Sequence, residues 1–171
     1  MLTTERLIIR LMEFEDLEIL RNLHNSEKTL QWLTDIFHVS KDEQIEWFSK
    51  ISNSRKNRRY TILTKEINKI VGIARLDDID LVNKNAFIGV DIEADFRRQG
   101  FARETYRCLI DYAFNSLNLH RLSLVTLENN MAAQNLYIEL GFKTEGMATQ
   151  AILRDGTYTN LVCMYLLNSK L

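Results

Sequence analysis

Between Phe87 and Ala102 the chain reads FIGVDIEADFRRQGFA, an extended apolar stretch that closes in two arginines and one glycine before a helical repeat begins. A helix N-terminus carries unpaired N–H groups and about half a unit of positive charge, so such a turn suits an anion, above all a phosphate or pyrophosphate. Gly100 allows close approach of the backbone, Ala102 keeps the first turn clear of bulk, and Arg97, Arg98 and Arg103 supply charge. Plain packing of a helix on a strand uses the same turn, so the residues alone leave two readings open. A dinucleotide turn is excluded, because GxGxxG needs three glycines and this loop has one. A second set follows at Asn130, Ala133 and Tyr137. Asparagine is a preferred helix N-cap, and the phenol lies on the Ala133, Leu136 and Leu140 face, where spacing alone favours the core. Asp91 and Glu128 are the carboxylates nearest these segments in sequence.

These residues need elements to position them. Arg6 to Leu11 reads as a strand, and Leu17, Leu20 and His24 as a short helix. Ser40-Lys41-Asp42-Glu43 is a capping box for a helix whose stripe is Ile45, Phe48 and Ile51. Three strands are predicted at Arg59 to Thr64, Ile70 to Leu76 and Ala86 to Ile92, followed by a helix from Phe101 to Leu117. Then come a strand over Arg121 to Leu127, a helix over Met131 to Leu140, and two strands about Asp155-Gly156, a preferred two-residue hairpin turn. That order predicts an α/β sandwich around a mixed sheet.

The 171 residues fit one domain, expected to span 1–171, large enough to fold without disulfides or metals. Its 22 Lys+Arg against 23 Asp+Glu leave no basic field for a nucleic acid backbone, so any anion site is local. Cys108 and Cys163 have no ligand spacing, and His24, His38 and His120 show none for a metal. The N-terminal stretch carries charges throughout and offers neither a secretory core nor a span of about 20 apolar residues. A cytoplasmic protein, without membrane, metal or nucleic acid and compatible with a homodimer, is expected.

Arg97-Arg98-Gln99-Gly100-Phe101-Ala102 resembles the Q/R-x-x-G-x-G/A signature of the GNAT N-acetyltransferases. Asn130 through Ala133, Tyr137, Gly141 and Phe142 resembles that family's N-x-x-S/A-x-x-x-Y-x-x-x-G-F. The opening Leu2-Thr-Thr-Glu-Arg-Leu-Ile-Ile-Arg10 is similar to the branch holding ribosomal-protein N-terminal and spermidine N-acetyltransferases. Two motifs in order, each in its structural context, are far more specific than either alone. The resemblance implies the single-domain GNAT fold, a mixed, mostly antiparallel sheet of about seven strands flanked by about four helices. It also implies acetyl-CoA as cosubstrate, with Arg97 to Arg103, Asn130 and Ala133 on the coenzyme and backbone at Val90 and Ile92 near the thioester.

The implied reaction is direct attack of a primary amine on the thioester in a ternary complex. Tyr137 is then the acid for the departing thiolate, and a strand N–H stabilises the oxyanion. Many relatives carry a glutamate base in an A-E-x-G context. Here the stretch is Ala86-Phe87-Ile88-Gly89, so Phe87 stands in its place; Asp91 or Glu128, a water relay and simple capture of the free amine are the alternatives left open.

For the acceptor, Tyr112-Ala-Phe114, Leu117-Asn-Leu-His120 and Met164-Tyr-Leu166 lean toward the spermidine-acetylating relatives. Trp32 and Asp35 are the candidate substrate residues, without those relatives' acidic pair. The basic run Arg55 to Arg59 reads as a solvated loop or as a phosphate contact, which keeps a nucleotide-linked amino sugar open. A peptide α-amine fits the branch too, and a coenzyme-binding module without turnover is the reading from another class.

Overall fold

The computed structural model describes residues 1–169; positions 170 and 171 of the expected domain lie outside the described residues. Eight strands form one sheet: β1 (Leu2–Thr3), β2 (Leu7–Leu11), β3 (Arg58–Thr64), β4 (Ile70–Asp80), β5 (Asn85–Ile92), β6 (Arg121–Leu127), β7 (Lys143–Arg154) and β8 (Thr157–Leu167). Their order is β1-β2-β3-β4-β5-β6-β8-β7, and every described pair is antiparallel except β5 with β6. The α-helices are α1 (Leu17–Asn25), α2 (Glu27–Leu30), α3 (Lys41–Ser52), α4 (Phe101–Asp111) and α5 (Met131–Glu139).

The expected architecture is present with one strand and one helix more than the periodicity predicts. The additions are β1 and α2, two and four residues long, too short to show a period of their own. The helix expected from Phe101 to Leu117 is α-helical only to Asp111. It continues as a π turn over Tyr112–Ser116, closed by the Leu117 N–H on the Tyr112 carbonyl at 3.1 Å.

Local chemistry sets the boundaries elsewhere. Ser40 Oγ accepts the Glu43 N–H at 3.2 Å while Glu43 accepts the Ser40 N–H at 2.8 Å, so the capping box forms in full. Asp155 and Gly156 both take positive φ, 47° and 76°, the requirement of a type I′ turn.

Alternation on β4 and β5 sends side chains to two faces. Ala74, Leu76, Ile88 and Ile92 join Phe101, Tyr106 and Leu109 of α4 and Tyr137 of α5 in the larger core. Ile73, which pairs with Asp91, packs on the other face against a smaller core of Met12, Leu17 and Leu20 with Ile45 and Phe48.

Asp16 ties the second face together. The sequence marks it as one of several carboxylates at a helix start, but it is only 3% exposed. Its oxygens accept from Arg10 at 2.6 and 2.7 Å, from the Glu13 N–H at 2.9 Å and from the Thr61 hydroxyl at 2.7 Å. Burial pushes this carboxyl's pKa upward, and the Arg10, Glu13 and Thr61 hydrogen bonds outweigh it, leaving the pKa below the ordinary aspartate value. A depressed carboxylate stabilises the fold above about pH 4 and loses that contribution as pH falls through its folded-state pKa. Asp16→Asn is expected to cost about 2 kcal/mol at pH 7 and to flatten the acid limb of melting temperature against pH. An unchanged limb overturns the assignment.

Candidate active site

The site begins where two strands stop pairing. β5 and β6 are in register only at Asn85↔Arg121, Ala86↔Leu122 and Phe87↔Ser123. Beyond Phe87, β5 follows β4 to Ile92 while β6 follows β8 to Leu127, so the sheet splays open between them. The Glu93 N–H bonds the Val71 carbonyl at 2.9 Å. In an antiparallel ladder such hydrogen-bonded pairs alternate, so Asp91 and Gly89 also bond toward β4. Past the last β5–β6 pair, Val90 and Ile92 therefore turn their backbone N–H and C=O groups into the splay. Across the gap, the Leu127 and Glu128 carbonyls are met by the Gln134 side chain at 3.3 and 2.8 Å, which completes the β6 end in place of a strand partner.

At the open end of β5 lies the arginine–glycine loop. Arg98 and Gly100 both take positive φ, 59° and 84°, on either side of Gln99. The first α4 bond runs from the Glu104 N–H to the Gly100 carbonyl at 3.0 Å, which leaves the Phe101, Ala102 and Arg103 amides without helical acceptors. Arg6 fixes the outer side of this loop: it donates to the Gln99 carbonyl at 2.9 Å, pairs with Glu104 at 2.7 Å and lies over the Phe101 ring at 4.7 Å. An arc of unpaired amides held open by its own outer contacts fits an anionic diphosphate. A groove of about 760 Å³ adjoins the loop and runs along Arg103 and Arg107 toward Thr3; it lies outside the splay.

One arginine departs from expectation. Arg97 points away from the loop amides: it donates to the Ile92 carbonyl at 2.9 Å, the Lys28 carbonyl at 2.8 Å and the Thr29 hydroxyl at 3.2 Å. Three of its five N–H donors tie the end of β5 to α2, and among the described residues Arg98 is the loop's unpaired guanidinium, beside Arg103. Arg103 pairs with Glu139 at 2.7 Å, which joins α4 to α5. Asn130 is an N-cap, with its side-chain oxygen accepting the Ala133 N–H at 3.2 Å.

Tyr137 projects from α5 into the larger core, 9% exposed. Its oxygen accepts from the Tyr106 hydroxyl at 3.3 Å. Burial raises the Tyr137 phenol above its ordinary range, although the Tyr106 hydrogen bond opposes this, so it keeps its proton throughout the neutral range. Asp91 sits on the opposite face. Arg75 Nη1 donates to its carboxylate at 2.6 Å, and the Arg75 guanidinium lies flat over Gly89, where a Cβ would stand 2.5 Å from Cζ. Arg75 also faces Asp77 at 3.7 Å, and Asp77 pairs in turn with Arg59. Arg59, Asp77, Arg75 and Asp91 thus form a row of alternating charge across β3, β4 and β5.

Nothing in the sequence singles out Arg75, and Tyr106 falls at a helical spacing that suits the core. Trp32 is 39% exposed beside α2; Asp35 accepts the Phe37 N–H at 3.0 Å and so shapes its own loop. The splay reaches neither residue through a recorded contact. Among the described residues no group of His, Cys, Asp or Glu is placed to hold a metal, and no helix is long and apolar enough to cross a membrane.

The profile of the Acetyltransferase (GNAT) domain matches residues 6–143. The chain belongs to the GNAT acetyltransferase family. It is an acetyl-CoA-dependent N-acetyltransferase. It is similar to a spermidine N(1)-acetyltransferase of Vibrio cholerae, 30% identical over 165 residues, covering 96% of this chain and 95% of that protein. An uncharacterized N-acetyltransferase of Bacillus licheniformis is 32% identical over 151 residues, 85% of this chain and 84% of its own. Among solved structures, the Vibrio cholerae spermidine N-acetyltransferase in complex with CoA and spermine superposes with a TM-score of 0.91 at 28% identity, over 98% of each chain.

Gly100 gives the sharpest test of the loop. Alanine there must hold a φ of 84° and bring its Cβ to 3.2 Å from Arg6 Nη2. Gly100→Ala is expected to cost about 1–2 kcal/mol of stability and to raise KM for acetyl-CoA several-fold more than KM for the amine. An unchanged KM for acetyl-CoA removes the loop from the coenzyme site.

Proposed function

We propose that the chain transfers an acetyl group from acetyl-CoA to the primary amine of a polyamine-like small molecule, by direct attack within a ternary complex. The observation that carries this is the splay between β5 and β6, with Tyr137 on one face of the sheet and the Arg75–Asp91 pair on the other. The amides of Arg98 to Arg103 hold the coenzyme diphosphate, and the pantetheine arm takes the place of the missing strand contacts between β5 and β6. The amine arrives on the Asp91 face as its free base, at a cost of about 4–5 kcal/mol at pH 7. Its nitrogen bonds the thioester carbonyl carbon, and the N–H of Val90 or Ile92 receives the oxyanion. As the C–S bond breaks, sulfur takes the Tyr137 proton; the surplus proton on nitrogen is relayed through water to the phenolate and restores the phenol, so no net proton is released. Asp91 accepts a hydrogen bond from the neutral amine and orients it; its engagement with Arg75 sets it apart from a free base.

The relatives named for spermidine support the polyamine class. A second reading, a nucleotide-linked amino sugar, is favoured by Arg59 and Arg75, which alternate with the carboxylates of the acceptor face and leave it without the excess of negative charge that suits a polycation. Acetyl-CoA consumption over a panel of spermidine, spermine, amino sugars and their nucleotide conjugates separates the two. For the polyamine reading, Arg75→Gln is expected to raise kcat/KM for spermidine; if it lowers turnover of a phosphate-bearing amine instead, the second reading holds. Tyr137→Phe is expected to lower kcat about a hundredfold with little change in KM for acetyl-CoA. With wild type, kcat/KM is expected to rise with pH from 6 to 9 as the amine loses its proton, with no decline from Tyr137 in that range. Coenzyme binding without turnover of any amine overturns the enzymatic reading.

A further inference from the structure

The larger core holds a second phenol that the reaction as described does not use. Tyr106, in the middle of α4, is 2% exposed, and its hydroxyl donates to the Tyr137 oxygen at 3.3 Å. The two rings meet edge to face, 5.4 Å between centroids at 78°, and Phe142 closes the other side of Tyr137 at 6.0 Å. A leucine or phenylalanine would fill this position on the apolar stripe. The hydroxyl is desolvated and has found its partner in the one side chain whose own proton matters.

We infer that Tyr106 is a positioning residue for the acid: its O–H occupies one lone pair of the Tyr137 oxygen and turns the Tyr137 hydrogen toward the splay. A phenol with a free rotor spreads its hydrogen over several directions. A phenol already accepting from Tyr106 cannot aim its hydrogen back along that line, so the hydrogen is presented to another acceptor, the sulfur leaving within the gap. The contact strengthens as the reaction proceeds. When sulfur takes the Tyr137 proton, the oxygen left behind is a phenolate, and the Tyr106 hydrogen bond becomes charge-assisted. Hydrogen bonds of this kind are long in the resting enzyme and tighten with charge development. Tyr106 loses no proton in the cycle; Tyr137 gives its proton to sulfur and regains one as the acetylated nitrogen releases its surplus.

This inference rests on Tyr137 as the acid, and a double-mutant cycle separates the two claims. Tyr106→Phe keeps the ring and removes only the donor, so its melting temperature is expected to stay within a few degrees of wild type. Rates are counted per coenzyme-binding site, which removes any misfolded fraction from the comparison. Tyr106→Phe is expected to lower kcat roughly tenfold and to leave KM for acetyl-CoA within about twofold. In the Tyr137→Phe background the same change is expected to have no further effect, because its route of action is gone. Equal losses in both backgrounds, a loss confined to KM, or full activity of Tyr106→Phe beside a slow Tyr137→Phe overturns the role of Tyr106 alone. Full activity of Tyr137→Phe overturns the acid assignment and this inference with it.

Discussion

The constraint on which the rest of the molecule depends is that β5 and β6 pair at three positions and then part. Backbone groups removed from water need partners, and a sheet ordinarily supplies them through the neighbouring strand. Here the chain withholds that neighbour from Val90 and Ile92 and supplies it elsewhere through side chains: Arg97 on the Ile92 carbonyl and Gln134 on the end of β6. What remains is a gap between two strands with N–H and C=O groups facing inward. A long, thin chain bearing amides of its own is the kind of ligand that completes it. The helices flank this gap: α4 begins beyond the end of β5, α5 places its tyrosine in the larger core on one face, and α1 and α3 pack against the smaller core on the other.

The two sides of the gap are built from different materials. Toward α4 and α5 it is apolar and aromatic, and its two buried phenols are held in their protonated forms by desolvation. Toward α1 and α3 it carries the charged row from Arg59 to Asp91. The buried phenol and the charged row are therefore kept in separate environments on the two sides of the sheet. Burial favours a neutral proton donor on the dry side, and charge suits capture of an ionic substrate on the other. The glycine at 89 permits this division, since any side chain there would lift Arg75 off the strand.

Much of this was legible in the residues. Runs of β-branched and aromatic residues bounded by turns locate β3 and β5 to within a residue, because strand formers and turn formers segregate cleanly there. The Ser40 box and the Asp155-Gly156 turn are local chemistry and need nothing from the rest of the chain. The arginine–glycine turn and the helix that bears Tyr137 were readable as local structure because each packs its requirements into a few consecutive positions. What could not be read depends on partners far apart in sequence. The splay is a failure of pairing between strands about 30 residues apart, and no single stretch encodes it. Arg97 sits inside a phosphate-binding motif by spacing, yet it serves α2, nearly 70 residues earlier. Asp16 reads as a helix-start carboxylate and is also the buried bolt between β2, β3 and α1. The π turn after Asp111 leaves the apolar stripe almost unchanged, so periodicity carried the helix straight through it.

Arg97 also bears on how such a protein can change over generations. Its guanidinium joins the end of β5 to the short helix α2, and two of its three partners are main-chain carbonyls. A carbonyl is present whatever amino acid occupies the position, so a change at residue 28 costs the joint only the exposed Lys28–Asp95 ion pair at 3.7 Å. Only position 29 is asked for a hydroxyl. The surface of α2 is thus free to sample new side chains while the arginine–glycine loop stays in place.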